Sequence, residues 1–179
     1  MRRLILLSLL TIPVLPVRAD VTDAAENGFT SVNEVTIAST PTEAWLAATQ
    51  QVAAWWNADH TLSGDASRLS IEARPMGCFC ESLGDDAGIV HLTVTAVSPD
   101  SLLRMTGGLG PLGVMGVDGN MTWEFEEADN GTLIRFTYAV GGYAKDGLQE
   151  LAGPVDRVVG EALKRLARFV ETGSPLPDE

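Results

Sequence analysis

The sequence predicts an α+β domain. A seven-stranded, curved antiparallel sheet is followed by a long C-terminal helix across its concave face, with two short helices after the first strand. Three observations carry this expectation. Between Leu69 and Tyr143, apolar and polar residues alternate with a period of two in six successive segments. Near Thr40, a helix-start signature opens a stretch of helical spacing. From Pro154 to about Glu171, one apolar stripe repeats with a period near 3.6.

The chain of 179 residues opens with a segment of a different kind. Arg2 and Arg3 precede the apolar run Leu4 to Leu10, Pro13 and Pro16 interrupt helix continuation, and Val17-Arg18-Ala19 offers small residues around a cleavage point. This is the layout of a secretory signal peptide over residues 1–19, and it predicts a periplasmic or secreted protein. The apolar run is shorter than the ~20 residues of a membrane span, so no stable membrane anchor is expected after cleavage. The leader carries three of the 12 basic residues and none of the 24 acidic ones, so residues 20–179 carry a net charge of −15. Nucleic acids and anionic lipids require clustered Lys and Arg, so neither is an expected partner.

Residues 20–28 are polar and read as a flexible lead-in to a domain over 29–173, with 174–179 as a tail. Phe29 to Ile37 is the first strand, Val35 and Ile37 opposing Glu34 and Thr36. Thr40 is the N-cap, Pro41 the first helical residue and Glu43 the partner of a capping box. Trp45, Ala48 and Val52 follow at helical spacing, and a second short helix holds Trp55 and Trp56. Residues 59–67 read as a loop. The six later strands are 69–73, 78–83, 88–97, 102–105, 117–127 and 132–143, separated by turn residues such as Asp129-Asn130-Gly131. In the fourth expected strand, 88–97, Val90, Leu92, Val94 and Ala96 share one face, with His91 solvated on the other. The final helix sets Val155, Val159, Ala162, Leu163, Leu166 and Phe169 against Arg157, Glu161, Lys164, Arg165 and Arg168. Gly173 is its stop.

This order, with Thr40-Pro41-Thr42-Glu43-Ala44-Trp45, Val52-Ala53-Ala54-Trp55-Trp56, Arg74-Pro75-Met76-Gly77-Cys78-Phe79 and Gly131-Thr132, resembles the START-like (SRPBCC) superfamily with its helix-grip fold. Within it, the chain is similar to the branch of polyketide-cyclase-like and heat-shock-ATPase-activator-like proteins. Met76 stands where branch members often carry the first of two glycines. The resemblance spans about residues 29–172 and implies a ligand space between the sheet and the last helix. Lipid carriers, hormone receptors and cyclases share that fold, so it does not choose a function.

The residues expected to line the space are Trp56, Met105, Leu112, Met115, Met121, Trp123, Phe136, Tyr138, Tyr143 and Leu163. Methionine adapts to irregular shapes, and Trp and Tyr add one polar handle to an apolar body. The glycine-rich stretch 107–116 formally contains a dinucleotide fingerprint at Gly108–Gly113, but a strand follows it and no βαβ unit surrounds it. A mobile flap at the cavity mouth is the expectation. Asp59, His60, Ser63 and Asp65 form the richest polar cluster. His60 and Asp59, with Tyr138, are the candidate acid–base residues of an enzyme, against the plainer role of capping turns.

Cys78 and Cys80 are the only cysteines. Residues two apart in an extended strand hold their Cβ atoms roughly 6–7 Å apart, beyond disulfide reach, so two free, buried thiols are expected unless a bulge at Gly77 intervenes. Met76, Cys78 and Cys80 together would offer soft ligands to copper(I). The leading functional expectation is an exported protein that binds a small hydrophobic or amphipathic molecule, as a monomer or weak dimer without a cofactor. The alternatives are a cyclase- or hydratase-type enzyme, a partner-binding protein and a copper(I) protein.

Overall fold

The computed structural model describes residues 18–177, and the leader assigned to 1–19 lies outside it apart from its last two residues. Eight strands form a single antiparallel sheet: β1 (Arg18–Ala25), β2 (Gly28–Ile37), β3 (Leu69–Ile71), β4 (Cys78–Gly84), β5 (Ala87–Ser98), β6 (Leu102–Thr106), β7 (Gly116–Ala128) and β8 (Gly131–Tyr143). Their order is β1-β2-β8-β7-β6-β5-β4-β3. Three helices cover the inner face: α1 (Pro41–Gln50), α2 (Val52–Trp55) and α3 (Gln149–Thr172). The helix-grip expectation holds, with eight strands in place of seven. The added strand is β1, in the segment read as loose. It is an edge strand with one neighbour, and its residues from Thr22 to Ala25 are exposed, so it lacks the apolar alternation that marks the others. No helix among the described residues is long and apolar enough to cross a membrane.

The start of α1 follows from its sequence. Thr40 Oγ1 accepts from the Glu43 N–H at 3.3 Å, and the Glu43 carboxylate accepts from the Thr40 N–H at 3.0 Å. Two orphan donors are satisfied reciprocally. Trp45 then meets Phe125 edge-on at 5.6 Å, which seats α1 on β7.

The long helix α3 starts at Gln149, five residues before Pro154. Pro154 therefore sits inside the helix, where it has no N–H for the Glu150 carbonyl. Tertiary contacts override that cost: Leu148 is fully buried, its N–H bonds to the Glu26 carbonyl, and Ala152 is buried as well. Gly173 closes the helix in the left-handed region at φ 76°. The helix packs chiefly on β2 and β1.

One departure from regular pairing changes which residues face inward and coincides with a bond between the two cysteines. Phe79 pairs with Leu92, but Cys80 pairs with Val90, so His91 is an extra residue in β5. The bulge turns Val90 outward to 60 % exposure and His91 inward to 6 %, reversing the expected faces. On β4, the Cα atoms of Cys78 and Cys80 stand 5.4 Å apart, and the two cysteines form a disulfide. The expectation of free thiols is thus corrected: a locally contracted strand at the register slip between Phe79 and Cys80 brings them within range.

Candidate functional site

Side chains of β2, β8, β7 and β6 meet in rows on the inner face. One row runs Asn33–Phe136–Trp123–Leu103 and the next Ser31–Tyr138–Met121–Met105. All eight residues are 0–1 % exposed. Trp123 stacks on Phe136 with centroids 4.3 Å apart and planes 11° from parallel. Leu163 of α3 is fully buried, Leu112 is 3 % exposed and Trp56 4 %, while Met115 packs against the core half-buried. The expected lining residues therefore do gather, with one exception. Tyr143 is 74 % exposed, because the inward positions of β8 are the even-numbered ones from Thr132 to Val140. The gathered side chains pack closely. A cleft of about 480 Å³ lies on the opposite, outer face, lined by Asp23, Asn27, Asp118, Asn120, Ala139 and Gly141 among others.

Polar atoms interrupt this apolar interior. Asn33 Nδ2 donates to Ser31 Oγ and to Asp156 Oδ1, each at 3.0 Å, and Ser31 Oγ donates to the same carboxylate oxygen at 2.6 Å. Asp156 comes from α3, so the cluster ties the helix to β2. The carboxylate fixes the orientation of the Asn33 amide, since only its NH₂ side can donate there. Asn33 Oδ1 and Trp123 Nε1 are both buried and have no hydrogen-bond partner among the described residues. One is an acceptor and the other a donor, and they flank Phe136 in a single row.

Tyr138 holds the glycine-rich segment. Its hydroxyl donates to the Gly107 carbonyl at 2.8 Å and accepts from the Leu109 N–H at 3.0 Å. Burial pushes its pKa up to about 12. The ring leans over Gly119, where a Cβ would stand 2.5 Å from Tyr138 Cε2. Tyr138 thus serves as a latch, with both hydroxyl functions occupied. Beyond it, Gly110–Val114 forms a single 3-10 turn, and a strand follows as expected.

The loop after α2 is fastened at two points, each with a histidine. His60 Nε2 lies 3.1 Å from Glu161 Oε2 on α3, and Asn57 Nδ2 donates to the other oxygen of Glu161 at 2.6 Å. Burial raises the Glu161 pKa, but the hydrogen bonds from His60 and Asn57 outweigh it and leave a net lowering. At the second point, the fully buried Glu81 accepts from the Leu62 and Ser63 N–H groups and meets His91 Nε2 at 2.9 Å. Burial again opposes ionisation, and the hydrogen bonds from Ser63, Leu62 and His91 prevail, bringing Glu81 down to about 2. Asp65 caps a turn through Ser67, while Asp59 is exposed and its N–H bonds to Asn57 Oδ1. His60 and Tyr138 therefore hold separate pieces of the structure, Asp59 is exposed, and no acid–base pair forms among the three. Met76 does not join the two cysteines. It occupies the turn before β4 at φ 66°, 81 % exposed, and sulfurs bonded to each other offer no thiolate to copper.

A family model described as polyketide cyclase / dehydrase and lipid transport matches residues 29–171. The chain belongs to this family. Solved structures show the same fold at low identity. A conserved protein of unknown function from Enterococcus faecalis aligns at TM-score 0.59 and 16 % identity, covering 92 % of this chain and 81 % of that one. A Mesorhizobium loti protein aligns at 0.58 and 19 %, covering 79 % and 96 %. CalU16 from Micromonospora echinospora aligns at 0.53 and 17 %, covering 92 % and 86 %. No curated protein sequence matches the chain. The cyclase-like assignment made from residues 40–56 and 74–79 is therefore correct. The family match begins at Phe29, so β1 precedes it.

Proposed function

We propose that this family member is an exported binding protein for a small amphipathic molecule carrying a hydroxyl group, taken up between the inner face of the sheet and α3. The observation that carries the reading is the pair of unpartnered polar atoms, Asn33 Oδ1 and Trp123 Nε1, on either side of Phe136. Leaving a buried donor or acceptor unpaired costs about 1–3 kcal/mol, so a ligand group that donates to the first atom, or one that accepts from the second, gains where it sits. A hydroxyl can serve either atom, and the surrounding aromatic and methionine side chains suit the apolar remainder of the ligand. Met105 and Met121, flexible and polarisable, are the side chains best able to shift and make room. The leader-like first 19 residues support export.

The test compares naphthalene with 1-naphthol as probes, alongside native mass spectrometry of the exported chain for a co-purified molecule. The expected result is tighter binding of 1-naphthol, with Asn33→Ala or Trp123→Phe, whichever side chain the hydroxyl reaches, weakening it about ten-fold and leaving naphthalene nearly unchanged. Equal binding of the two probes, together with a bare protein mass, would refute the reading.

A further inference from the structure

The Cys78–Cys80 disulfide ties together nothing that the fold does not already hold. Both cysteines belong to the same strand, whose pairing to β5 on one side and β3 on the other fixes their positions without the bond. The loop it closes holds three residues, counting both ends. The stabilisation a disulfide provides through the unfolded chain grows with loop length, so this bond is near the minimum. It also lies away from the core. Phe79 and Glu81 are the buried residues of β4, while Cys78 and Cys80 alternate with them on the outer face and are only partly buried. Val90, which pairs with Cys80, is turned outward to 60 % exposure, and Met76 is exposed at the start of the same hairpin.

We infer that Cys78–Cys80 is a thiol–disulfide exchange site open to attack by an external thiolate, and not a staple of the fold. In the first step the incoming thiolate bonds to one cysteine sulfur, the Cys78–Cys80 bond breaks, and its electron pair leaves on the other sulfur as a thiolate. A second external thiol, as its thiolate, then attacks the external sulfur of the mixed disulfide and releases the remaining cysteine thiolate. Two external thiols are oxidised to one disulfide and the protein pair is reduced to a dithiol, with the two thiol protons passing to the cysteine sulfurs or to solvent. Accessible disulfides are the ones that undergo such exchange, whereas buried structural ones resist it. The site is independent of the inner-face ligand.

Reduced glutathione serves as the probe on the folded, full-length chain, with trapping by alkylation and intact-mass analysis. Reduction is expected without denaturant, at a rate proportional to glutathione thiolate concentration and independent of the global unfolding rate. Cys80→Ser is expected to accumulate a mixed disulfide at Cys78 when treated with oxidised glutathione. The reduced wild-type chain and the Cys78→Ala/Cys80→Ala variant should keep the native circular dichroism, with a melting point within a few degrees of the oxidised chain. A bond that reacts only as fast as the protein unfolds would overturn the inference, as would a reduced wild-type chain that loses its native fold.

Discussion

Glu81 carries a carboxylate into the interior at 1 % exposure, and it stays charged because three groups are aimed at it: the Leu62 and Ser63 N–H groups and His91. Its pKa of about 2 in the fold lies below the 4.5 of an ordinary glutamate. A depressed carboxyl pKa stabilises the fold above the unfolded value, and the contribution is lost as pH falls from about 4.5 towards 2. The largest contribution consistent with that shift is about 3 kcal/mol. Urea unfolding of wild type and Glu81→Gln should therefore differ by up to that amount at pH 6, and the gap should narrow as pH falls towards 2. A gap that stays constant with pH would show that packing alone accounts for it. Glu81 went unnoticed in the sequence although its signal was present. It shares strand parity with Phe79, just as Ser31 and Asn33 share parity with Val35 and Ile37. A polar residue on the apolar parity of a half-buried strand must find a buried partner, and each of these does. His91 gave no such signal, because only the bulge in β5 turns it inward, and a bulge is a property of pairing that a single strand does not reveal.

Among the elements, those governed by local chemistry were legible and those governed by a neighbour were not. The capping box fixed the start of α1 at Thr40, and Gly173 fixed the end of α3. The start of α3 was misplaced because Pro154 is a local helix-start signal. The five residues before it are helical because Leu148 and Ala152 are buried by the rest of the molecule. The flap of residues 107–115 shows the same dependence. Its glycines advertise freedom, yet the Tyr138 hydroxyl holds it at both Gly107 and Leu109, and the missing side chain of Gly119 makes room for the ring that does so. Tyr138→Phe keeps the ring and removes the latch. It should cost about 1–3 kcal/mol and lower the hydrogen-exchange protection of the Leu109 amide at least about ten-fold, while amides of β7 keep theirs. Unchanged exchange at Leu109 would mean that packing of Leu112, not the hydroxyl, restrains the flap.

At the scale of the whole molecule, the sheet has two unequal edges. One ends in the three-residue strand β3, too short to template another chain. The other would expose all ten residues of β2 were it not covered by β1. The same N-terminal hairpin fastens the far end of the chain: the Glu26 carbonyl accepts from Leu148 at the start of α3, and the Asn27 carbonyl from Gly142 at the end of β8. Cleavage after Ala19 would leave Asp20 to Ala25 paired with β2, so an exported form keeps the cover. A chain beginning at Gly28 retains the whole family-matched region but loses the strand, both carbonyl contacts and the shelter of the edge. It should be less stable by about 2 kcal/mol or more, which for a domain of this size lowers the melting point by roughly 5 °C or more. It should also self-associate through β2, seen as concentration-dependent dimers or larger species by size-exclusion chromatography with light scattering, whereas the chain beginning at Asp20 stays monomeric. A monomeric, equally stable truncation would show that β2 tolerates an open edge and that the role of β1 lies elsewhere.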